Sequence, residues 1–214
     1  MIIHEPTTLL TDLLLAAFGG GLAWRLRPAR HAGPPARRWW SRALGLTGAS
    51  AFVGGTYHGF GPNFSPDLAA LWWIATLQVI SLVSAAMAAG LLAEIRPARG
   101  TGLWAGLIVG KFTCFAVLAV FAQSFTFAVI DYGLTMFAWA VAAVWLRRPW
   151  RDWMLAAIGL SAAAAAVQQL HLAPSQQFNH NDLYHVIQAF ALGGYYAAGR
   201  RLTDVTPAVS PRDP

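Results

Sequence analysis

Charged residues are scarce in this sequence. Only 11% of its 214 residues are Asp, Glu, Lys or Arg, whereas 57% are hydrophobic. A soluble domain carries about 25% charged residues, so this composition excludes a water-soluble globule. Apolar runs of about 20 residues recur along the chain, and each is long enough to cross a hydrocarbon core about 30 Å thick. We therefore expect one all-α domain embedded in a membrane.

Further absences narrow the class of protein. Cys114 is the single cysteine, so no disulfide can form within the chain. Residues 1–12 lack Lys and Arg and include Glu5 and Asp12, whereas a signal peptide begins with positive charge. We therefore interpret the first apolar run as a retained helix. The net charge is +6, but the basic residues lie at the ends of apolar runs, so we predict no nucleic-acid binding.

The apolar runs predict a bundle of seven transmembrane helices within a domain of residues 1–201. The predicted spans are 8–24, 43–60, 68–94, 103–122, 125–146, 153–171 and 182–199. The segment Pro28 to Arg38 is interpreted as a loop, and the proline-containing residues 202–214 as a disordered cytoplasmic tail.

Arginines are absent from alternate connections, and this pattern predicts the orientation. Connections 61–67, 123–124 and 172–181 contain no Lys or Arg. The basic residues flank the other connections and follow the last span: Arg25, Arg27, Arg30, Arg37, Arg38, Arg42, Arg96, Arg99, Arg147, Arg148, Arg151, Arg200 and Arg201. Because Lys and Arg concentrate in cytoplasmic loops, we expect the N-terminus outside and the C-terminus in the cytoplasm. We expect a multi-pass protein of the cytoplasmic (inner) membrane of a bacterium.

Histidines and carboxylates meet at one depth in this topology. His58 lies near the outer end of the second span, Asp67 opens the third, and His180 and His185 open the seventh. Ionisable groups inside spans are costly and often mark functional sites, and this mixture of ligands suits zinc. We predict His58, His180 and His185 as metal ligands. Asp67 or Asp182 would hold the metal-bound water or orient a ligand. The alternative is that His58, His180 and His185 only form hydrogen bonds at the membrane interface. We favour that interpretation for two further histidines, His4 and His171.

A second pair of ionisable residues lies deeper in the predicted bundle. Lys111 is near the middle of the fourth span and Asp131 is in the fifth, which follows after a tight connection. We favour a buried structural ion pair, and a polar cavity floor or a proton path stays open. Gln188 lies three residues after His185, on the same helical face, and would add polar lining.

At these residues the chain resembles the superfamily of seven-helix membrane hydrolases that contains the alkaline ceramidases and the progestin/adiponectin-type receptors. Tyr57-His58 resembles the aromatic-His step late in helix two, and Leu183-Tyr184-His185 the end of the helix-seven motif. Asp67 lies in the region of the family's helix-three Asp. The chain departs at Gly54, where the family has a serine that Thr56 or Ser50 could replace, and at Asn181, where the helix-seven pair has its first histidine.

The resemblance implies a zinc-dependent intramembrane hydrolase that acts on a lipid-like amide. Zn2+ would activate a water, Asp67 would serve as general base, and Thr56 would assist at the reacting carbonyl. The partners would be membrane lipids and a lipid-like substrate that enters from the bilayer. One alternative is a receptor or metal-binding membrane protein without enzyme activity. A second is a b-type haem carrier with His58 and His185 as axial ligands.

Overall fold

The structure is a computed structural model that describes residues 2–28, 33–95 and 100–202. Arg30, Arg96 and Arg99 of the arginine pattern lie outside the described residues, as does the predicted tail from residue 203 onward. Leu202, which was placed in the tail, is fully buried, so the packed part of the chain extends at least one residue beyond the predicted domain.

The described residues form seven α-helices and one short 3-10 helix, Gly61–Asn63, which confirms the all-α prediction. The α-helices are α1 Pro6–Leu26, α2 Pro35–Phe60, α3 Pro66–Ile95, α4 Thr101–Ala122, α5 Phe125–Leu146, α6 Arg151–Gln169 and α7 His180–Gly199. Four of these, α1, α3, α4 and α5, are long and apolar enough to cross a membrane. The protein is therefore an integral membrane protein by the length and composition of its helices.

Local sequence explains most helix starts. Proline opens α1, α2 and α3, because its fixed φ suits the first turn and its missing N–H is not needed there. The loop predicted for Pro28 to Arg38 is wrong at its end, since α2 already begins at Pro35. At α7, Asn179 and Asp182 form a capping box, in which each side chain accepts a hydrogen bond from the other residue's backbone N–H.

Small residues bring α1 and α2 into close contact. A Cβ at Gly48 would lie 2.8 Å from the Ala16 carbonyl oxygen, and one at Gly19 would lie 3.1 Å from the Gly48 nitrogen. Such glycines let two membrane helices approach backbone to backbone. The α1–α2 crossing thereby brings the polar residues of α1 against α2.

The core is concentrated at the opposite end of the bundle from His58. Trp40, Trp139, Trp150 and Tyr195 are fully buried there. The Trp40 and Trp139 rings contact edge to face with centroids 5.2 Å apart, and the Trp139 and Trp150 rings do so at 5.3 Å. Aromatic pairs at this separation add stability beyond the area that they bury. This end of the bundle is filled, whereas a cavity lies between the helices toward the end near His58.

Candidate functional site

A cavity of about 670 Å³ lies between α1, α2, α3, α5, α6 and α7. Most of its lining is apolar, and the carboxyl and imidazole groups in the lining gather at one end: Asp12, His58, His180 and His185. We call this part of the bundle, together with Glu5, the histidine end. An apolar cavity with a few convergent polar groups is the usual form of a small-molecule site.

His58 pairs with a carboxylate that precedes α1. Its Nδ1 lies 3.3 Å from Oε2 of Glu5, and the imidazole side chain is 21% exposed. The hydrogen bond from His58 holds the pKa of Glu5 below its ordinary value, more than offsetting the effect of partial burial. The Glu5–His58 pair therefore contains an ionised carboxylate bound to one nitrogen of a cavity-lining imidazole.

The N-terminal segment is fastened to the end of α2, which explains how Glu5 reaches His58. The backbone N–H of His4 donates to the Gly59 carbonyl at 3.1 Å. The Asn63 side chain accepts from the Ile2 N–H at 3.2 Å and donates to the Ile2 carbonyl at 2.7 Å. These contacts join segments about 55 to 60 residues apart in the chain, so no local sequence pattern reveals them.

His185 is buried between two side chains of α1. Its Nε2 lies 3.1 Å from Oδ1 of Asp12, and its Nδ1 lies 2.9 Å from the Thr11 hydroxyl. Asp12 is buried as well, and its Oδ2 has no hydrogen-bond partner among the described residues. A Cβ at Gly55 would lie 2.5 Å from the Asp12 Cβ, so only glycine leaves room for this carboxylate.

His180 turns toward the α6–α7 connection. Its Nε2 lies 3.3 Å from Nδ1 of His171, which stands after the end of α6 with a φ of 54°. His180 also contributes to the cavity lining. The structure thus pairs His180 with a histidine that the sequence interpretation left out of the site.

The three predicted zinc ligands share one end of the bundle, but they do not form a zinc shell in this arrangement. Both ring nitrogens of His185 are engaged by Asp12 and Thr11, and Nε2 of His180 faces His171. Within residues 2–28, 33–95 and 100–202, no three His, Cys, Asp or Glu side chains are grouped so that they could hold a metal ion. The donor types suit zinc, whereas their spacing does not. Zinc binding by this set stays a prediction.

The other residues expected to act with the metal do not line the cavity. Asp67 is exposed in the first turn of α3, and the Thr56 hydroxyl donates to the Phe52 carbonyl at 2.8 Å. The carboxylate of Asp182 accepts from the Asn179 N–H at 2.7 Å, so it caps α7. Gly54 does line the cavity, and a Cβ there would meet only Thr76 at an ordinary contact distance of 3.4 Å. This position could therefore hold the serine of the family pattern.

The predicted pair of Lys111 and Asp131 does come together. The Lys111 ammonium contacts Oδ1 of Asp131 and donates to the Ser84 hydroxyl at 2.8 Å. Ser84 donates to the same carboxylate at 3.0 Å and lies 2.8 Å from the Thr135 hydroxyl. Lys111 and Asp131 are absent from the described cavity lining, which agrees with a structural ion pair. Gln188, by contrast, is buried and lines the cavity as expected.

The sequence interpretation missed Glu5, Thr11 and Asp12 as members of the site. The signal for Asp12 was present, because a carboxylate inside an apolar run is as costly as Asp131 and deserves the same functional hypothesis. Glu5 and Thr11 carry no comparable signal. Their role depends on the α1–α2 crossing and on the contact of α1 with α7.

The fold and the site together define an all-helical integral membrane protein with a cavity between its helices that has histidines and Asp12 at one end. The chain belongs to DUF6962, a family of unknown function, whose model matches residues 7–204. No curated protein and no solved structure matches the chain significantly. The function has to be argued from the site itself.

Proposed function

We propose that all seven α-helices cross the membrane, with the N-terminus outside and the C-terminus in the cytoplasm of a bacterial cell. The support is the one-sided distribution of arginines together with the place of α2, α6 and α7 in the bundle. These three helices are less apolar because they turn small and polar residues toward their neighbours and the cavity. Reporter fusions after residues 63, 123 and 176 should report outside, and those after 35, 98 and 149 cytoplasm. A cytoplasmic report at 176 would contradict this topology.

The proposed ligand is a lipid-like amphiphile. The cavity volume of about 670 Å³ lies within the range of about 300 to 1,000 Å³ that is usual for small-molecule sites. Its apolar part suits an acyl chain, and the histidine end suits a polar group. Because the outer boundary of the bilayer falls at this end in the proposed topology, the polar group of a membrane lipid would reach it without leaving the interface.

The proposed reaction is hydrolysis of an amide in such a molecule, and the observation that carries it is the Glu5–His58 pair at the cavity wall. Glu5 binds Nδ1 of His58, which leaves Nε2 as the basic nitrogen. That nitrogen would take a proton from water as the water oxygen attacks the amide carbon. The imidazolium would then return the proton to the departing amine, giving a carboxylic acid and an amine. Glu5 would orient the ring and stabilise its charged form.

This assignment moves the general base from Asp67 to His58. The resemblance to the seven-helix hydrolases supports the proposed substrate class, since Tyr57-His58 resembles the aromatic-His step of that family. The zinc-dependent form of the reaction is a separate proposal that requires His185 to release Asp12 or Thr11. Haem binding by His58 and His185 would require the same release. A receptor without enzyme activity would use the same cavity and differ only in lacking turnover.

Release of fatty acid from N-acyl amide lipids tests the proposal. The protein in lipid vesicles should release fatty acid, and His58→Gln should slow this by roughly 10²- to 10⁴-fold, the scale for losing a general base. His4→Gln is the matched control, because His4 lies nearby and its contact is made by backbone. Turnover that survives a strong chelator favours His58 acting alone, and turnover that is lost and restored by zinc favours the metal form. If the folded wild-type protein hydrolyses no lipid of a broad acyl-amide panel, the hydrolase proposal is wrong and the receptor without enzyme activity is the remaining candidate.

A further inference from the structure

Two histidines, one just after α6 and one at the start of α7, form a pair that the proposed hydrolysis does not use. Nδ1 of His171 and Nε2 of His180 are 3.3 Å apart, and the rings are nearly perpendicular, with an interplanar angle of 84° and centroids 4.6 Å apart. His171 is exposed and His180 is half-buried, so water and ions can reach the pair. The nitrogens face each other across the gap between the end of α6 and the start of α7.

This separation is long for a hydrogen bond and suitable for two ligands of one metal ion. An N–H donor and its acceptor usually lie about 2.9 to 3.0 Å apart. Two histidine nitrogens bound to one tetrahedral zinc at about 2.0 to 2.1 Å are about 3.3 to 3.4 Å apart. The observed 3.3 Å matches the second value. The capping box of Asn179 and Asp182 fixes the first turn of α7, so His180 is held in place before any ion binds.

We propose that His171 and His180 bind one divalent transition-metal ion, such as Zn2+ or Cu2+, with water completing its coordination shell. This site differs from the predicted set of His58, His180 and His185, because Nε2 of His180 lies 3.3 Å from Nδ1 of His171, which is outside that set. Since His180 also lines the cavity, the bound ion would tie the α6–α7 connection to the cavity wall. The proposal is independent of hydrolysis and can be tested without a substrate.

Titration with Cu2+ alone provides the test, because imidazole sites bind Cu2+ most tightly among the divalent first-row ions. The full chain, purified through a tag without histidine, should bind one Cu2+ per chain with an electron paramagnetic resonance spectrum that shows nitrogen ligands. His171→Ala and His180→Ala should each weaken binding at least about 10-fold, since each removes half of the protein ligands. His58→Ala and His4→Ala should leave the affinity and the spectrum unchanged.

His171→Ala is the decisive variant, since His171 is exposed and outside the packed helices, so its loss should not disturb folding. Circular dichroism and size-exclusion elution identical to wild type would verify this. Unchanged Cu2+ affinity in folded His171→Ala protein would overturn the proposal. So would a loss of binding in His58→Ala that His171→Ala does not share, because that result assigns the metal to the cavity histidines.

Discussion

The bundle contains two polar clusters, and they are built differently. In the first, Lys111 meets Asp131 with the Ser84 and Thr135 hydroxyls around them, so a cation and an anion offset each other away from the cavity. The histidine end has carboxyl groups at Glu5 and Asp12, and these contact the imidazoles of His58 and His185. In a Lys–Asp pair each group satisfies the other, whereas a neutral imidazole carries one N–H donor and one basic nitrogen. The first arrangement suits a fixed structure, and the second suits chemistry.

The surroundings of the two clusters support this distinction. Ala119 is the one buried residue among the described residues of α4, so polar contacts matter for its attachment: Lys111 contacts Ser84 of α3 and Asp131 of α5, and Gln78 of α3 donates to the Ala116 carbonyl. At the histidine end, Asp12 and His185 are also buried, but they border the cavity. The comparison predicts that the same kind of substitution will have different effects at the two clusters.

The largest loss of folding stability is expected from Lys111→Met. This change leaves the Asp131 carboxylate buried without its cation, and breaking a buried pair on one side costs about 3 to 5 kcal/mol. The unfolding midpoint in detergent should fall steeply. The double variant Lys111→Met/Asp131→Leu should recover most of the loss, because it removes both charges. A single variant that unfolds together with wild type would mean that the pair is not structural.

Asp12→Asn tests the stability contribution of a buried carboxyl group at the histidine end. Asparagine has nearly the same shape, can keep one hydrogen bond to His185, and replaces a buried carboxyl group for which the described residues provide no Lys or Arg partner. We therefore expect the free energy of unfolding to change by less than about 1 kcal/mol, against about 3 kcal/mol or more for Asp131→Asn. Both variants can be measured in the same unfolding assay. Equal destabilisation by the two changes would remove the distinction between the clusters.

The sequence predicted the helices well and the site only in part, and the reasons are physical. Apolar runs indicate α1, α3, α4 and α5, and prolines mark the starts of α1, α2 and α3; both signals can be read locally. The alternating direction of the predicted spans was enough to place His58, His180 and His185 at one end of the bundle. The partners of these histidines depend on contacts between distant segments, such as the α1–α2 crossing at Gly19 and Gly48. Depth alone also misplaced Asp67, because depth does not specify which face of α3 it occupies.

The smallest effect on stability is expected at Glu5, which is partly exposed at the edge of the histidine end. Its pKa is lowered by the hydrogen bond from His58, relative to an ordinary value of 4.5. A carboxylate with a lowered pKa stabilises the fold above its unfolded-state pKa, and this contribution is lost as the pH falls through the folded-state value. The wild type should therefore lose a small extra stability below about pH 4.5, in addition to any general acid effect.

Glu5→Gln tests this point, because it keeps the shape of the side chain and removes its titration. Since the Glu5 side chain is 42% exposed, we expect a difference of no more than about 1 kcal/mol at neutral pH, as for other exposed ion pairs. The difference between the two proteins should shrink toward zero as the pH is lowered from about 6 to about 3. Asp67→Asn is the matched control, because Asp67 is an exposed carboxylate for which the described residues provide no ion-pair partner. A gap between wild type and Glu5→Gln that stays constant down to low pH would show that the Glu5 charge does not stabilise the contact with His58.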